Sequence, residues 1–375
     1  MNKKFAINLV LGHAVPFPPT RGGGIETLYN LLTNQWAQDG HQITVYSRKK
    51  DAGDNSYVDD LNIWHIKVDG FDWTNSRFLN ICNSARWLKK VMSKLETGDV
   101  TLFNTFFSFM VTNKKCGIRI TTLHRTPKKT LKYYWKKHDR IYAGSRAVIE
   151  QAEDICGPMP NAKYIYNCIN TSEVNPEIKD YSKIKGLEFL YVGRFVWDKG
   201  LEFLIKGFEI SLKQFPANKL IFLGPKTNEQ GAEEVFFNRM KEYINDKKLN
   251  DKIIFADPVF DKKKLYENIS KADIFTVPTI TGETFSMAIL EGMALAKPVL
   301  TSDFPPMIEA VDHKVNGYIS KVKDAESLAE GIAFFSNNIN NMQKYQKAAL
   351  EKVKNFTVEK IAQEYIKDFR HLINS

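Results

Sequence analysis

The chain is poor in residues that hold metals or cross-link a fold. Only four of its 375 residues are cysteines, at 82, 116, 156 and 168, and none stands in a Cys-x-x-Cys pair. That argues against a disulfide scaffold and a thiolate zinc site, and fits reduced, buried thiols in a cytosolic protein. The seven histidines form no His-x-x-x-His pair, and no Asp-x-Asp follows a strand-like run, so the sequence offers no metal site and no carboxylate cradle for a cation beside a diphosphate. Long apolar runs are also missing. The most apolar stretch, Leu102 to Val111, is broken by Asn104, Thr105 and Ser108, well short of the roughly 20 residues that cross a bilayer. Met1 to Pro19 has two lysines and a short apolar run but no small-residue cleavage site, so it reads as a first strand.

What is present is globular: 43% hydrophobic and 26% charged residues, in a length that suits two domains. The net charge of +10 is uneven, because Lys and Arg exceed Asp and Glu by 8 within residues 1–180 and by only 2 in the remainder. Between Lys114 and Arg146 stand eleven basic residues and a single acid, Asp139. Part of this run, T-P-K-K-T-L-K-Y-Y-W-K-K-H-D, sets Tyr133, Tyr134 and Trp135 among lysines. That composition suits an anionic membrane surface or a phosphate-bearing acceptor. It equally suits a solvated helix face with its aromatics turned into the core. Nucleic acid is disfavoured, since the charge is confined to one half while the other half is built for a small ligand.

Apolar runs and helical spacings alternate along the chain. Phe5 to Gly12 reads as a buried strand leading through Arg21-Gly22-Gly23-Gly24-Ile25-Glu26 into a helix with Leu28, Leu31, Leu32 and Trp36 on one face. With the strand Ile43 to Tyr46 this makes a βαβ unit. Glycines at a helix start let backbone N–H groups approach an anion, yet Gly22, Gly23 and Gly24 lack the Gly-x-Gly-x-x-Gly spacing of a dinucleotide site. Further strands are expected at 62–68, 99–105, 119–123 and 140–143, with a helix over 77–95. In the second half strands are expected at 188–192, 219–223, 252–255 and 272–277, alternating with helices as a parallel sheet requires.

The chemistry concentrates between Val277 and Val299, V-P-T-I-T-G-E-T-F-S-M-A-I-L-E-G-M-A-L-A-K-P-V. A buried strand ends in a loop carrying Glu283, and a second acid, Glu291, follows on a Leu/Met/Ala-rich helix. The loop and first helical turn offer unpaired N–H groups and the positive end of the helix dipole, a suitable seat for a diphosphate. Upstream, Gly193-Arg194-Phe195-Val196-Trp197-Asp198-Lys199-Gly200 sets two cations five residues apart after a strand, able to grip that diphosphate from two sides.

Glu, seven residues, Glu, with Phe285 after the first acid, Glu-Gly-Met-Ala at 291–294 and Lys-Pro-Val at 297–299, resembles the signature of family-4 retaining glycosyltransferases. Gly-Arg-x-x-x-x-Lys-Gly at 193–200, Gly-Gly-x-Glu at 23–26 and Thr-x-His at 122–124 resemble further motifs of that family. The resemblance implies an α/β GT-B fold, two Rossmann-like doubly wound parallel-sheet domains facing across a cleft. An acceptor domain is expected over 1–178, a nucleotide-sugar domain over 179–356, and a helix over 357–375 crossing back to the first. A hinge is expected between Asn170 and Lys185.

The resemblance also implies roles. Arg194 and Lys199 would neutralise the leaving diphosphate, with backbone amides near Thr284, Phe285 and Ser286. Glu283 would hold the donor sugar, Glu291 the ribose, and His124 would lie beside the reacting centre. Gly23 and Gly24 would face the diphosphate, and Pro258 and Val259 the base. No metal and no cofactor is implied beyond the substrate, a UDP- or GDP-linked sugar. The partners implied are an anionic or lipid-linked glycan or protein acceptor and a peripheral membrane surface, with a cytoplasmic location at the inner membrane face. The alternative is a catalytically silent subunit of the same fold that binds a membrane or a partner. Three departures from the family pattern stand out: Cys168 and Ser286 at glycine positions, and Phe304-Pro305-Pro306 where paired glycines are usual.

Overall fold

The computed structural model describes residues 3–13, 16–19, 23–51, 53–72, 74, 76–228 and 232–375. Arg21 and Gly22 of the glycine loop lie outside them. The chain forms two compact units, Met1–Cys168 with Val358–Ser375, and Ile169–Thr357. The polar run 170–185, where a hinge is expected, thus belongs to the second unit, and physical ties hold it there. Ile169 N donates to Phe356 O at 2.9 Å, Lys179 pairs with Asp273 at 2.6 Å, and Tyr181 is buried in that unit's core.

In the first unit, β1 (Ala6–Val10), α1 (Gly24–Gln38) and β2 (Gln42–Arg48) make the βαβ start. Then come β3 (Tyr57–Val58), β4 (Trp64–Val68), α2 (Arg77–Ser93), β5 (Val100–Phe103), β6 (Ile118–Leu123), β7 (Arg140–Ala143), α3 (Arg146–Cys156) and β8 (Ala162–Tyr164). They build one sheet in the order β3-β4-β2-β1-β5-β6-β7-β8, parallel except for the edge strand β3. The basic stretch is no regular helix: it folds as two short 3-10 turns, Lys129–Tyr133 and Trp135–Lys137, with Leu131 and Trp135 buried and Tyr133 exposed.

The second unit runs β9 (Glu188–Val192), α4 (Leu201–Leu212), β10 (Lys219–Leu223), α5 (Glu234–Asp246), β11 (Ile253–Ala256), α6 (Lys262–Lys271) and β12 (Ile274–Val277). It continues through α7 (Met287–Ala294), β13 (Val299–Ser302), α8 (Pro305–Ile308), β14 (Gly317–Ser320), α9 (Ala325–Asn337) and α10 (Met342–Val353). Its all-parallel sheet has the order β11-β10-β9-β12-β13-β14. The order reverses between β9 and β12, and open α/β sheets leave a crevice beyond the strand ends at such a switch point.

The last helix, α11 (Val358–Asn374), packs on α1 in the first unit. Trp36 is fully buried there, its indole N–H donating to Ala362 O at 3.2 Å and its ring meeting Tyr365 edge-on at 5.5 Å. Deeper in, Asp368 of α11 accepts from Tyr142 OH at 2.7 Å and pairs with Arg140 at 2.9 Å and Lys163 at 3.0 Å. One carboxylate thereby ties α11 to β7 and β8.

Candidate active site

The loops that follow β9 and β12 flank the switch point of the second sheet, and both hold predicted site residues. Arg194 is carried at the start of the first loop by its neighbour Phe195. That ring is buried with its centroid 5.2–5.5 Å from those of Phe222, Phe236, Phe237 and Phe255. Burying a phenyl ring contributes about 2–3 kcal/mol, and aromatic pairs add to it. The anchor leaves the exposed Arg194 on a fixed base, where its backbone carbonyl accepts from the buried Tyr191 OH at 2.9 Å.

At the other end of this loop Gly200 has φ +70°, and a Cβ there would stand 2.1 Å from Pro278 O. Only glycine lets the two loops approach so closely. Ile280 N donates to Asp198 O at 3.0 Å and closes the same contact. The consequence is an ion pair, Lys199 Nζ to Glu283 Oε2 at 2.6 Å, with both side chains about three-quarters buried. Tyr191 feels the charges of Glu283, Asp198 and Arg194, and burial with the two acids raises its phenol far above the usual range. Arg194, Lys199 and Glu283 therefore share one neighbourhood within the second unit.

Past Glu283, Thr284, Phe285 and Ser286 are buried, and the Phe285 ring sits 5.3 Å from that of Phe356. Ser286 has a local reason to replace glycine: it is the N-cap of α7, its hydroxyl accepting from Ile289 N at 3.4 Å. Gly292 lets α7 lie close on β12, since a Cβ would meet the Phe275 ring at 2.8 Å. One residue earlier, Glu291 sits in a tight environment with Lys262 as a favourable charge. Desolvation pushes its carboxyl up to about 7. Pro258 and Val259 are half-buried just beyond β11, whose last residue, Ala256, pairs with Leu223 of β10.

The first unit holds its own cluster. His124 follows β6, its Nε2 at 2.6 Å from Asn104 Oδ1 beyond β5 and at 3.5 Å from Tyr29 OH of α1. The phenol in turn bonds Thr122 Oγ1 at 2.9 Å. Burial holds the imidazole down to about 4, so it is neutral at pH 7 and, in the tautomer that donates from Nε2, bonds Asn104. Gly23 has φ +125° and precedes α1, which begins at Gly24. Glu26 folds over Gly23 so closely that a Cβ there would meet its Oε2 at 2.5 Å, and burial raises its carboxyl.

Sequence reasoning missed Asn104, Tyr29 and Asp198. Asn104 had a usable signal, a polar residue at the end of the strand beside the one that leads to His124. A cavity of about 460 Å³ lined by Trp197, Asn228, Glu233, Glu234, Val235, Phe236 and Arg239 contains none of the predicted site residues. Among the described residues no group of three or more His, Cys, Asp or Glu is gathered to hold a metal, and no helix is long and apolar enough to cross a membrane. All four cysteines are free.

Comparison with known proteins bears on the family and the fold. The family model for glycosyl transferases group 1 matches residues 175–352, and that for Glycosyltransferase Family 4 matches residues 22–173. An uncharacterized glycosyltransferase of Methanocaldococcus jannaschii is 29% identical over 56% of this chain and 58% of its own length. The chain spans little more than half the length of the first curated relatives it matches. Sucrose-phosphate synthase from Thermosynechococcus elongatus superposes with a TM-score of 0.82 at 18% identity, over 99% of this chain and all of its own. Anabaena HepE in complex with UDP and glucose gives 0.74 at 16% identity, over 98% and 99% of the two chains. These likenesses give the fold as that of GT-B glycosyltransferases.

Proposed function

This chain belongs to the family-4, group 1 glycosyltransferases, and from that premise we propose that it moves a hexose from a nucleotide-diphosphate sugar to an acceptor hydroxyl with retention at the anomeric carbon. The observation that carries the reading is the 2.6 Å contact between Lys199 and Glu283 at the switch point. Without donor each satisfies the other. With donor, the diphosphate takes Lys199 and Arg194 as its cations, and Glu283 turns to accept from sugar hydroxyls.

The bond from the anomeric carbon to the phosphate oxygen breaks, its electron pair stays on the diphosphate, and the acceptor oxygen bonds the same carbon from the same face. The acceptor's proton passes to the departing phosphate oxygen. Lys199, Arg194 and the first amides of α7 meet the growing negative charge, electrostatic stabilisation that takes the place of a metal ion. Glu291 receives the ribose hydroxyls. By the family resemblance His124, neutral at pH 7, would act as a hydrogen-bonding group toward substrate rather than as a proton-transferring base. The acceptor is an anionic or lipid-linked glycan or protein in surface-glycan assembly at the cytoplasmic membrane face, a reading supported by the basic excess of residues 1–180.

The test is nucleotide release from a panel of UDP- and GDP-hexoses. Removing one donor of this kind costs about 100-fold or more in rate, so Lys199→Ala should fall by that order on whichever donor the protein uses. If no donor is either bound or turned over, the reading is wrong. Donor binding without turnover favours the silent-subunit alternative.

A further inference from the structure

We propose that the outward face of α2 docks the protein on an anionic lipid bilayer, Phe78, Leu79 and Ile81 entering the headgroup region and Arg86 and Lys89 lying over lipid phosphates. The inner face of α2 is ordinary. Trp87, Leu88 and Val91 are buried beside Leu95, Val111 and Phe103. The outer face is not, because a helix packed on a sheet normally turns polar residues to water, and here Phe78 is 72% exposed, Leu79 47% and Ile81 44%.

Farther along that face the exposed residues are Arg86, Lys89 and Lys90, and the helix contains no Asp or Glu at all. Phe78 and Lys89 are about 16 Å apart along the axis at 1.5 Å per residue. An apolar end and a basic end on one face suit a helix lying in a bilayer interface, where buried area and attraction to anionic lipid act together. The nearest acids upstream are occupied: Asp69 pairs with Lys49, and Asp72 with Arg48.

Neighbouring elements extend the surface. The turn Phe106–Met110 packs on α2 and exposes Met110, and the turn Trp135–Lys137 packs on it in turn, with Lys136 and Lys137 exposed. By contrast, the exposed Tyr57, Val58 and Trp64 of the sheet edge stand among Asp54, Asp59 and Asp60, which an anionic surface would repel. That patch supplies an internal control. The inference rests on the proposed function only in expecting a lipid-linked acceptor at that surface.

The experiment is flotation of the full chain with vesicles of phosphatidylcholine alone or with one third phosphatidylglycerol, at low and high salt. Binding should require phosphatidylglycerol and weaken with salt. It should fall roughly tenfold or more in Phe78→Ser/Ile81→Ser, disappear in Arg86→Glu/Lys89→Glu, and survive Trp64→Ser. All these positions are exposed, and circular dichroism with lipid-free nucleotide release checks that each variant is folded. No vesicle binding, or binding indifferent to the α2 variants, overturns the proposal. So does a lipid-free dimer that Phe78→Ser/Ile81→Ser disperses in a chain that ignores vesicles, which would assign the face to a second copy. Vesicle binding by a chain that turns over no donor would sink the functional reading and leave this one standing.

Discussion

Glu291 gives the sharpest test of the site, because its burial predicts a stability effect and a functional effect of opposite sign. The carboxyl is displaced from 4.5 to about 7 by desolvation, opposed by the charge of Lys262. Each tenfold change in proton affinity is worth about 1.4 kcal/mol, so the ionised form costs the fold up to about 3 kcal/mol. Between pH 4.5 and 7 the native state holds a proton that the unfolded chain has released. Stability contributed by this group is therefore complete below about pH 4.5, declines as pH rises, and reaches its floor near pH 7. His124 and His138, both held down to about 4 by burial, act in the opposite direction over an overlapping range, so the wild-type curve alone does not isolate Glu291. The difference between wild type and Glu291→Gln does. In urea denaturation at pH 4.5, 6 and 8, the variant should gain on wild type as pH rises, by about 3 kcal/mol at the upper end. Donor affinity should move the other way, since ribose hydroxyls donate to the ionised carboxylate. Wild-type binding should weaken by up to about tenfold per pH unit below 7, and the glutamine variant should bind weakly at every pH. A wild-type–variant difference that is flat with pH would refute the burial argument; unchanged donor affinity in the variant would refute the ribose assignment.

Two further outcomes are expected. Gly200→Ala forces a Cβ toward Pro278 O at a φ of +70°. It should cost about 1–3 kcal/mol in thermal or urea unfolding and also lower nucleotide release, because it shifts Lys199 away from Glu283. Asp368→Asn removes the charge that Arg140, Lys163 and Tyr142 share. Leaving Arg140 buried without its counter-charge should cost about 3 kcal/mol or more, with hydrogen exchange rising first along α11.

The alternation of strands and helices was legible because it is local: apolar runs of four to seven residues ending in glycine or a polar turn can be read one element at a time. The loop motifs were legible for the same reason, since Arg194 to Gly200 and Glu283 to Glu291 each lie within one strand–loop–helix step. Apart from two helices near the C-terminal end, what escaped was either too short or made by distant partners. Strand β3 has two residues and β8 three, and both exist only because a longer neighbour supplies their ladder. Helices α9 and α10 went unassigned between the family motifs. A solvated helix face was one of the readings the basic stretch allowed, yet burial of Leu131 and Trp135 with Ile141 and Ala152 breaks it into two turns. The partners of His124 come from α1 and the end of β5, and no spacing in the chain joins residues 29, 104 and 124. Gly200 stands in a local motif, but only its approach to Pro278 O explains why it must lack a side chain.

The site also shows where the fold accepts cost. Asp198 Oδ1 is buried with no hydrogen-bond partner among the described residues, Glu291 is desolvated, and neither arrangement contributes to stability. Asp198 lies in the loop after β9 and Glu291 on α7 after β12, and the surrounding packing is what holds these elements: the phenylalanines around Phe195, the β9–β12 loop contact at Gly200, and the α7–β12 approach at Gly292. A cation and an acid that were only structural would gain from a closed, hydrogen-bonded environment. Lys199 and Glu283 instead keep part of their side-chain surface exposed, so in the proposed role a diphosphate would reach the ammonium without first opening the core. In the proposed role a diphosphate would offer Lys199 two negative groups in place of the single carboxylate of Glu283. In the proposed role that asymmetry would let donor binding rearrange the site without moving the scaffold.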